Sequence, residues 1–203
     1  LLAASVIGST LGAGRLAVFY YGYDLNMVPL GIFAISFAVA SFPTMADYFA
    51  KKNLAGFKSF FAKTAVQMLF LIIPISVLML LLRAQLVRLI FGAGEGTQFT
   101  FADTKLTAQT LGFFALSLFA QSLVPLLARA FYALQNTVVP VVSGLLASGA
   151  NILLAYVFTR FWGASSIALA FSVAITLHML IMLAILHRRL GDLADEFLFV
   201  RVL

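Results

Sequence analysis

The sequence predicts an all-α, polytopic transmembrane helix bundle of about five full spans, preceded by a partial first span. Three observations carry this. Hydrophobic residues make up 63% of the chain and charged residues 10%, whereas a soluble domain carries about 25% charged residues. Mean hydropathy is +1.09. Stretches such as 70–82 and 144–158 are apolar nearly all round, not on one stripe as in a surface helix, and so require lipid or other helices as their surroundings.

Crossing the hydrocarbon core takes about 20 residues of helix, and charged or turn-forming residues divide the chain into runs of that length. Residues 1–11 make about half a span and stop at Gly12-Ala13-Gly14, where glycine permits a tight turn. A full span follows over 15–42. It contains the polar interruption Tyr23-Asp24-Leu25-Asn26, then Pro29 and Gly31, which predict a kink or local unwinding because proline removes a backbone donor. The remaining spans are expected over 57–82, 107–127, 138–158 and 166–186, with Pro74 inside the first of these and Pro125 near the end of the second. Pro140 opens the third of them in a first-turn position where a missing N–H costs little. The chain starts inside an apolar run without a basic leader, so it reads as a fragment and not as a signal peptide.

The net charge of +6 raises nucleic acid as a partner, but lysine and arginine sit at the ends of apolar runs without a continuous basic stripe. They serve better as membrane-flanking anchors. Lys51, Lys52, Lys58 and Lys63 lie between two spans, Arg129 between two others, and Arg188 and Arg189 after the last. Basic loops are retained in the cytoplasm, so 43–57 is expected as a cytoplasmic interfacial segment and 92–105 as an external loop. The chain has no cysteine and two histidines, His178 and His187, which excludes disulfides and thiolate metal sites. It has no nucleophile elbow, HExxH, P-loop or paired carboxylates, so an enzyme is not expected.

Function falls to the few polar residues inside the spans. An intramembrane acid costs several kcal/mol unless it faces a cavity or a partner. Asp24, with Tyr23, Asn26 and the nearby Arg15, is therefore a candidate wall of a hydrated cavity that binds a polar head group or a cation; pairing of Asp24 with Arg15 near a span end is the simpler alternative. Asn151, Ser172, Thr176 and His178 can meet across adjacent helices. Interhelical hydrogen bonding, worth roughly 0.6 to 2 kcal/mol, accounts for them, and a sodium site using Asn151 and Ser172 is the sharper reading. Arg129, close to Phe131-Tyr132, is either a diphosphate ligand or a positive-inside anchor within an aromatic belt.

Several stretches resemble, in order, the MurJ (MviN) family of lipid II flippases within the multidrug, oligosaccharidyl-lipid and polysaccharide exporter superfamily. Tyr20-Tyr21, Pro29-Leu30-Gly31-Ile32-Phe33, Ser36 and Phe42-Pro43-Thr44 look like the family's eighth span. Ile90-Phe91-Gly92, Phe99-Thr100, Asp103-Thr104 and Thr107 look like its outer loop. The run LVPLLARAFYALQNTVVP over 123–140 is similar to the exit of the tenth span and is the most specific match. Ile167-Ala168-Leu169-Ala170 and Leu186-His187-Arg188-Arg189 fit the twelfth.

The resemblance implies spans seven to twelve of a fourteen-span protein, that is, one lobe of a two-lobe exporter fold in the bacterial cytoplasmic membrane. Its implied partners are lipid II or a related undecaprenyl-diphosphate-linked sugar, membrane lipids and the missing N-terminal lobe. No cofactor is expected; Na+ or the membrane potential is the implied energy source. Three positions depart from the pattern: Asp24 stands where many members carry a cavity arginine, with Tyr23 in place of the preceding acid. Asn151 matches an asparagine that some members use for sodium, but Ala155 replaces the acid one turn later. A flippase for other undecaprenyl-linked oligosaccharides, a drug exporter of the same superfamily and a non-transporting scaffold for cell-wall enzymes are the rival readings.

Overall fold

The computed structural model describes residues 15–92, 100–162 and 165–191, and every regular element among them is helical. The expected partial span over 1–11 lies outside the described residues. In chain order the elements are α1 (Arg15–Pro29), a π-helical segment (Leu30–Ile35), α2 (Ser36–Ala50), α3 (Leu54–Leu81), α4 (Arg83–Phe91), α5 (Phe101–Leu116), α6 (Leu118–Ala133), α7 (Val138–Trp162) and α8 (Ser166–Leu190). Four described helices are long and apolar enough to cross a membrane: Ala17–Ala50, Leu54–Leu81, Val138–Thr159 and Ser166–Leu190. The pair α5 and α6, bent by 48°, makes a fifth if counted as one span. The five full spans expected from the sequence are thus present, one of them broken.

The irregularity foreseen at Pro29 is a widening of the helix and not a stop. The π segment begins at the residue after the proline, and prolines and π turns are both recognised causes of a bend in a helix. Ser36 ends it: its N–H donates to Phe33 O, and its hydroxyl reaches Gly31 O at 3.4 Å. Pro43 does not end α2, which runs on to Ala50 because Ser41 and Met45, on either side of it, are both buried. Region 43–57 therefore consists of the last turns of α2, a tight turn and the first turn of α3.

The two turns at this end of the bundle have the same construction. In the first, Lys52 has φ 55°, its N–H donates to Phe49 O, and Asn53 N–H donates to Tyr48 O. In the second, Gln135 has φ 56°, with Gln135 N–H to Tyr132 O and Asn136 N–H to Phe131 O. Both pairs of bonds are those of a Schellman motif, here closed without glycine. Each asparagine then caps the next helix: Asn53 Oδ1 accepts from Gly56 N–H at 2.9 Å, and Asn136 Oδ1 from Val139 N–H at 3.1 Å.

At the opposite end, α4 lies between the span expected over 57–82 and the outer loop expected over 92–105. α5 starts at Phe101 behind a capping box in which Thr100 and Asp103 exchange hydrogen bonds. Residues 101–105 of the expected outer loop are thus helical.

The broken span α5–α6 forms the centre of the bundle. α1 packs along α5, the π segment and α2 pack along α6, and α3 and α8 touch both; α7 lies outside, chiefly against α8. Gly22 permits the close approach of α1 to α5, since a Cβ there would stand 3.0 Å from Thr110 Cγ2. Phe57, Phe61, Met68, Ile72, Leu118, Leu126, Phe131 and Met182 fill the main core.

Candidate functional site

A helix that stops inside a bundle leaves its last carbonyls without donors, and in a membrane each must be satisfied by the protein. α5 stops at Leu116. Ser117 N–H turns back to Phe114 O at 3.1 Å, which frees the neighbouring carbonyls. Side chains from three different helices take them up. Ser172 of α8 donates to Phe113 O at 2.7 Å, Gln121 Nε2 of α6 to Phe114 O at 3.2 Å, and Ser76 of α3 to Ala115 O at 2.5 Å. Two neighbouring helices and the continuing half of the span thus cap the break.

These groups form one buried network. Asn26 Nδ2 of α1 donates to Gln121 Oε1 at 2.8 Å, Gln121 Nε2 donates to Ser117 Oγ at 2.9 Å, and Ser117 Oγ lies 2.9 Å from Ser172 Oγ. Asn26, Ser117, Gln121 and Ser172 are all buried. Asn26 Oδ1 is buried with no partner among the described residues. Toward the surface the network meets an open groove of about 390 Å³, where Ser117, Ser172 and Thr176 lie among Leu116, Leu169, Val173, Leu177 and Leu180.

The structure separates some of the residues expected to act together and joins others. Asp24 and Asn26 do not share a wall, because residues two apart on a helix face apart, whereas Tyr23, three residues before Asn26, lies on the same side as Asn26. Asp24 is exposed, while Asn26 turns into the bundle. Tyr23 stacks on Phe19 at 6.3 Å and meets Phe114 edge-on at 6.0 Å, part of an aromatic cluster that Phe171 extends. The side chain of Arg15 lies outside the described residues, so the expected Asp24–Arg15 pair does too. Arg129 is half-buried near the other end of the bundle, with its guanidinium 5.9 Å from the centre of the Phe42 ring.

Of the ion-site pair, Ser172 is engaged by Ser117 and Phe113, and Asn151 is half-buried on α7 with no hydrogen bond to Ser172 among those described. His178 approaches Ser143 of α7 at 3.1 Å, the interhelical role expected for such groups. At the lysine-rich turn Lys51 pairs with Asp47 at 2.8 Å, both exposed. The hydrogen bond that the ammonium donates to Asp47 raises its pKa, and the carboxylate charge adds to the rise.

Sequence reasoning missed Gln121, Ser117 and Ser76. Each was a lone polar residue in an apolar run, and the signal lay in the spacing: Ser117 and Gln121 share a helix face four residues apart. Their partners, 95 and 55 residues away for Asn26 and Ser172, could not be read from spacing.

A family model described as Lipid II flippase MurJ matches residues 1–202. A probable lipid II flippase MurJ of Thermotoga maritima is 34% identical over 170 residues, which is 83% of this chain and 34% of that protein. One from Vibrio cholerae is 29% identical over 187 residues, 92% of this chain and 35% of its own length. The chain thus spans about a third of the length of these relatives. A solved structure of a lipid II flippase MurJ in an inward closed conformation superposes with a TM-score of 0.82 at 23% identity, over 98% of this chain and 42% of that one. An outward-facing multidrug resistance MATE family transporter superposes with a TM-score of 0.79 at 18% identity, over 96% of this chain and 42% of that one.

Proposed function

Because the chain belongs to the MurJ family of lipid II flippases, we propose that it is one lobe of a transporter that moves lipid II across the bacterial cytoplasmic membrane for cell-wall synthesis. The observation that carries this reading is the family match over residues 1–202, together with helices able to span a membrane. Transport of this class moves two lobes about a shared site, and this chain supplies one lobe. The second lobe and most of the cationic charge that meets a diphosphate come from the rest of the protein. Asp24, exposed on α1, and Arg129, beside Phe42, are the residues of this lobe proposed to face the head group.

Of the two energy sources, we favour the membrane potential. Ser172 is already committed to Ser117 and Phe113 O, and Ala155, one turn beyond Asn151, has no side-chain oxygen to offer sodium. These features weigh against a sodium site built on Asn151 and Ser172. The test is complementation of a strain depleted of its own lipid II flippase by the full-length gene. Restored growth and restored lipid II translocation are expected; failure of a well-expressed protein to restore either overturns the reading in favour of another lipid-linked oligosaccharide or a drug as cargo.

A further inference from the structure

Irregularities in three neighbouring spans fall at one level of the bundle. The first span changes from α to π geometry after Pro29, three residues past Asn26. The central span breaks by 48° at Ser117, and Gln121 just beyond the break holds Asn26. In the third, Pro74 lies two residues before Ser76, which caps the break through Ala115 O. A proline withholds one ladder hydrogen bond, so α1–α2 and α3 are each weakened where they touch the break. On the outer side of this level α1 packs on α5; on the inner side the π segment and α2 pack on α6. Among the spans in contact with the break, α8 alone passes it with neither proline nor change of helix type.

We propose that this level is a hinge plane within the lobe. The outer block of α1, α4 and α5 flexes against the inner block of the π segment, α2 and α6, with α8 as the continuous spine. Bending there interrupts no backbone ladder at Ser117, because the freed carbonyls are held by side chains that can follow. Asn26–Gln121 is the clasp between blocks, and the unpaired Asn26 Oδ1 offers Gln121 a second hydrogen-bonding arrangement when the angle changes. The lobe thus opens or closes its inner mouth by its own bending, in addition to any movement against the other lobe. This goes beyond the cargo assignment and does not depend on it.

The test is pulsed electron spin distance measurement in the intact protein, with spin labels at exposed positions and the lobes cross-linked at the inner or the outer rim. Lys105 with Tyr132 reports across the hinge, while Ala17 with Lys105 and Lys52 with Tyr132 report within each block. The 16 residues of α6 make an arm of about 24 Å, so each 10° of flexing moves its far end by about 4 Å. The cross-hinge distance is expected to shift between the two trapped states, or to be broader than both controls, and to narrow in Pro74→Ala and Pro29→Ala, which restore ladder donors. A cross-hinge distance as narrow and as constant as the controls, or one that both alanine variants leave unchanged, overturns the proposal.

Discussion

Asn26 and Gln121 stand 95 residues apart in sequence and 2.8 Å apart in space, and their amide–amide bond joins α1 to α6 across the break of the central span. Replacing Gln121 by leucine leaves the Asn26 amide without its acceptor and removes one donor from Phe114 O. An unsatisfied buried polar group costs about 1–3 kcal/mol. A clear drop in the unfolding midpoint of the purified protein in detergent is therefore expected; an unchanged midpoint would show that the bond contributes nothing net.

Gly22 and Gly112 both face close neighbours but should respond differently to alanine. A Cβ at Gly22 stands 3.0 Å from Thr110 Cγ2 and 3.4 Å from Leu111 N. The Thr110 rotamer is pinned by its hydroxyl's bond to Leu106 O at 2.9 Å. Overpacking of this kind costs typically 1–3 kcal/mol, so Gly22→Ala is expected to loosen α1 from α5. A Cβ at Gly112 meets Arg83 Nη1 at 2.6 Å, the far end of a flexible chain that can swing away, so Gly112→Ala is expected to be the milder variant. Thermal stability of the two proteins ranks them, and the opposite order would contradict the packing argument.

Gln135 holds a left-handed conformation with φ 56°, which costs an L-residue roughly 1–2 kcal/mol that glycine avoids. Gln135→Gly should raise the unfolding midpoint, offset in part by glycine's greater freedom when unfolded. Asn136→Ala, which deletes the cap on Val139 N–H, should lower the midpoint, at a stability cost of about 0.5–2 kcal/mol. Two variants shifting stability in the same direction would refute this account of the turn.

Thr100 and Asp103 begin α5 by exchanging bonds at 2.9 and 3.2 Å. Thr100→Ala is expected to speed amide hydrogen exchange over the first turn of α5 by about tenfold, the equivalent of 1.4 kcal/mol, without changing exchange near Leu111. Unaltered exchange at 101–104 would remove the capping box as the start signal.

Asp24 is exposed on α1 and has no ion-pair partner among the described residues. In the intact protein Asp24→Asn is expected to lower transport while leaving the unfolding midpoint in place, because the side chain is exposed. Full activity in that variant would take Asp24 out of the transport path.

Five helical spans, their approximate ends and the disturbance at Pro29 were legible in the sequence, because solvation by lipid is a local demand: about 20 apolar residues must occur in a row, and proline lacks its donor wherever it stands. The resemblance carried by residues such as 123–140 also needed no coordinates. The tertiary structure alone decided that the span expected over 107–127 breaks at Ser117, where no proline stands, and runs unbroken through Pro125. The reason is that a helix breaks where its freed carbonyls find donors, and those donors, Ser76 and Ser172, come from other helices. For the same reason Asn26 joined Ser172 in one network while Asp24, two residues earlier, faced away. Helical pitch separates neighbours in sequence, and packing joins residues that sequence spacing cannot relate.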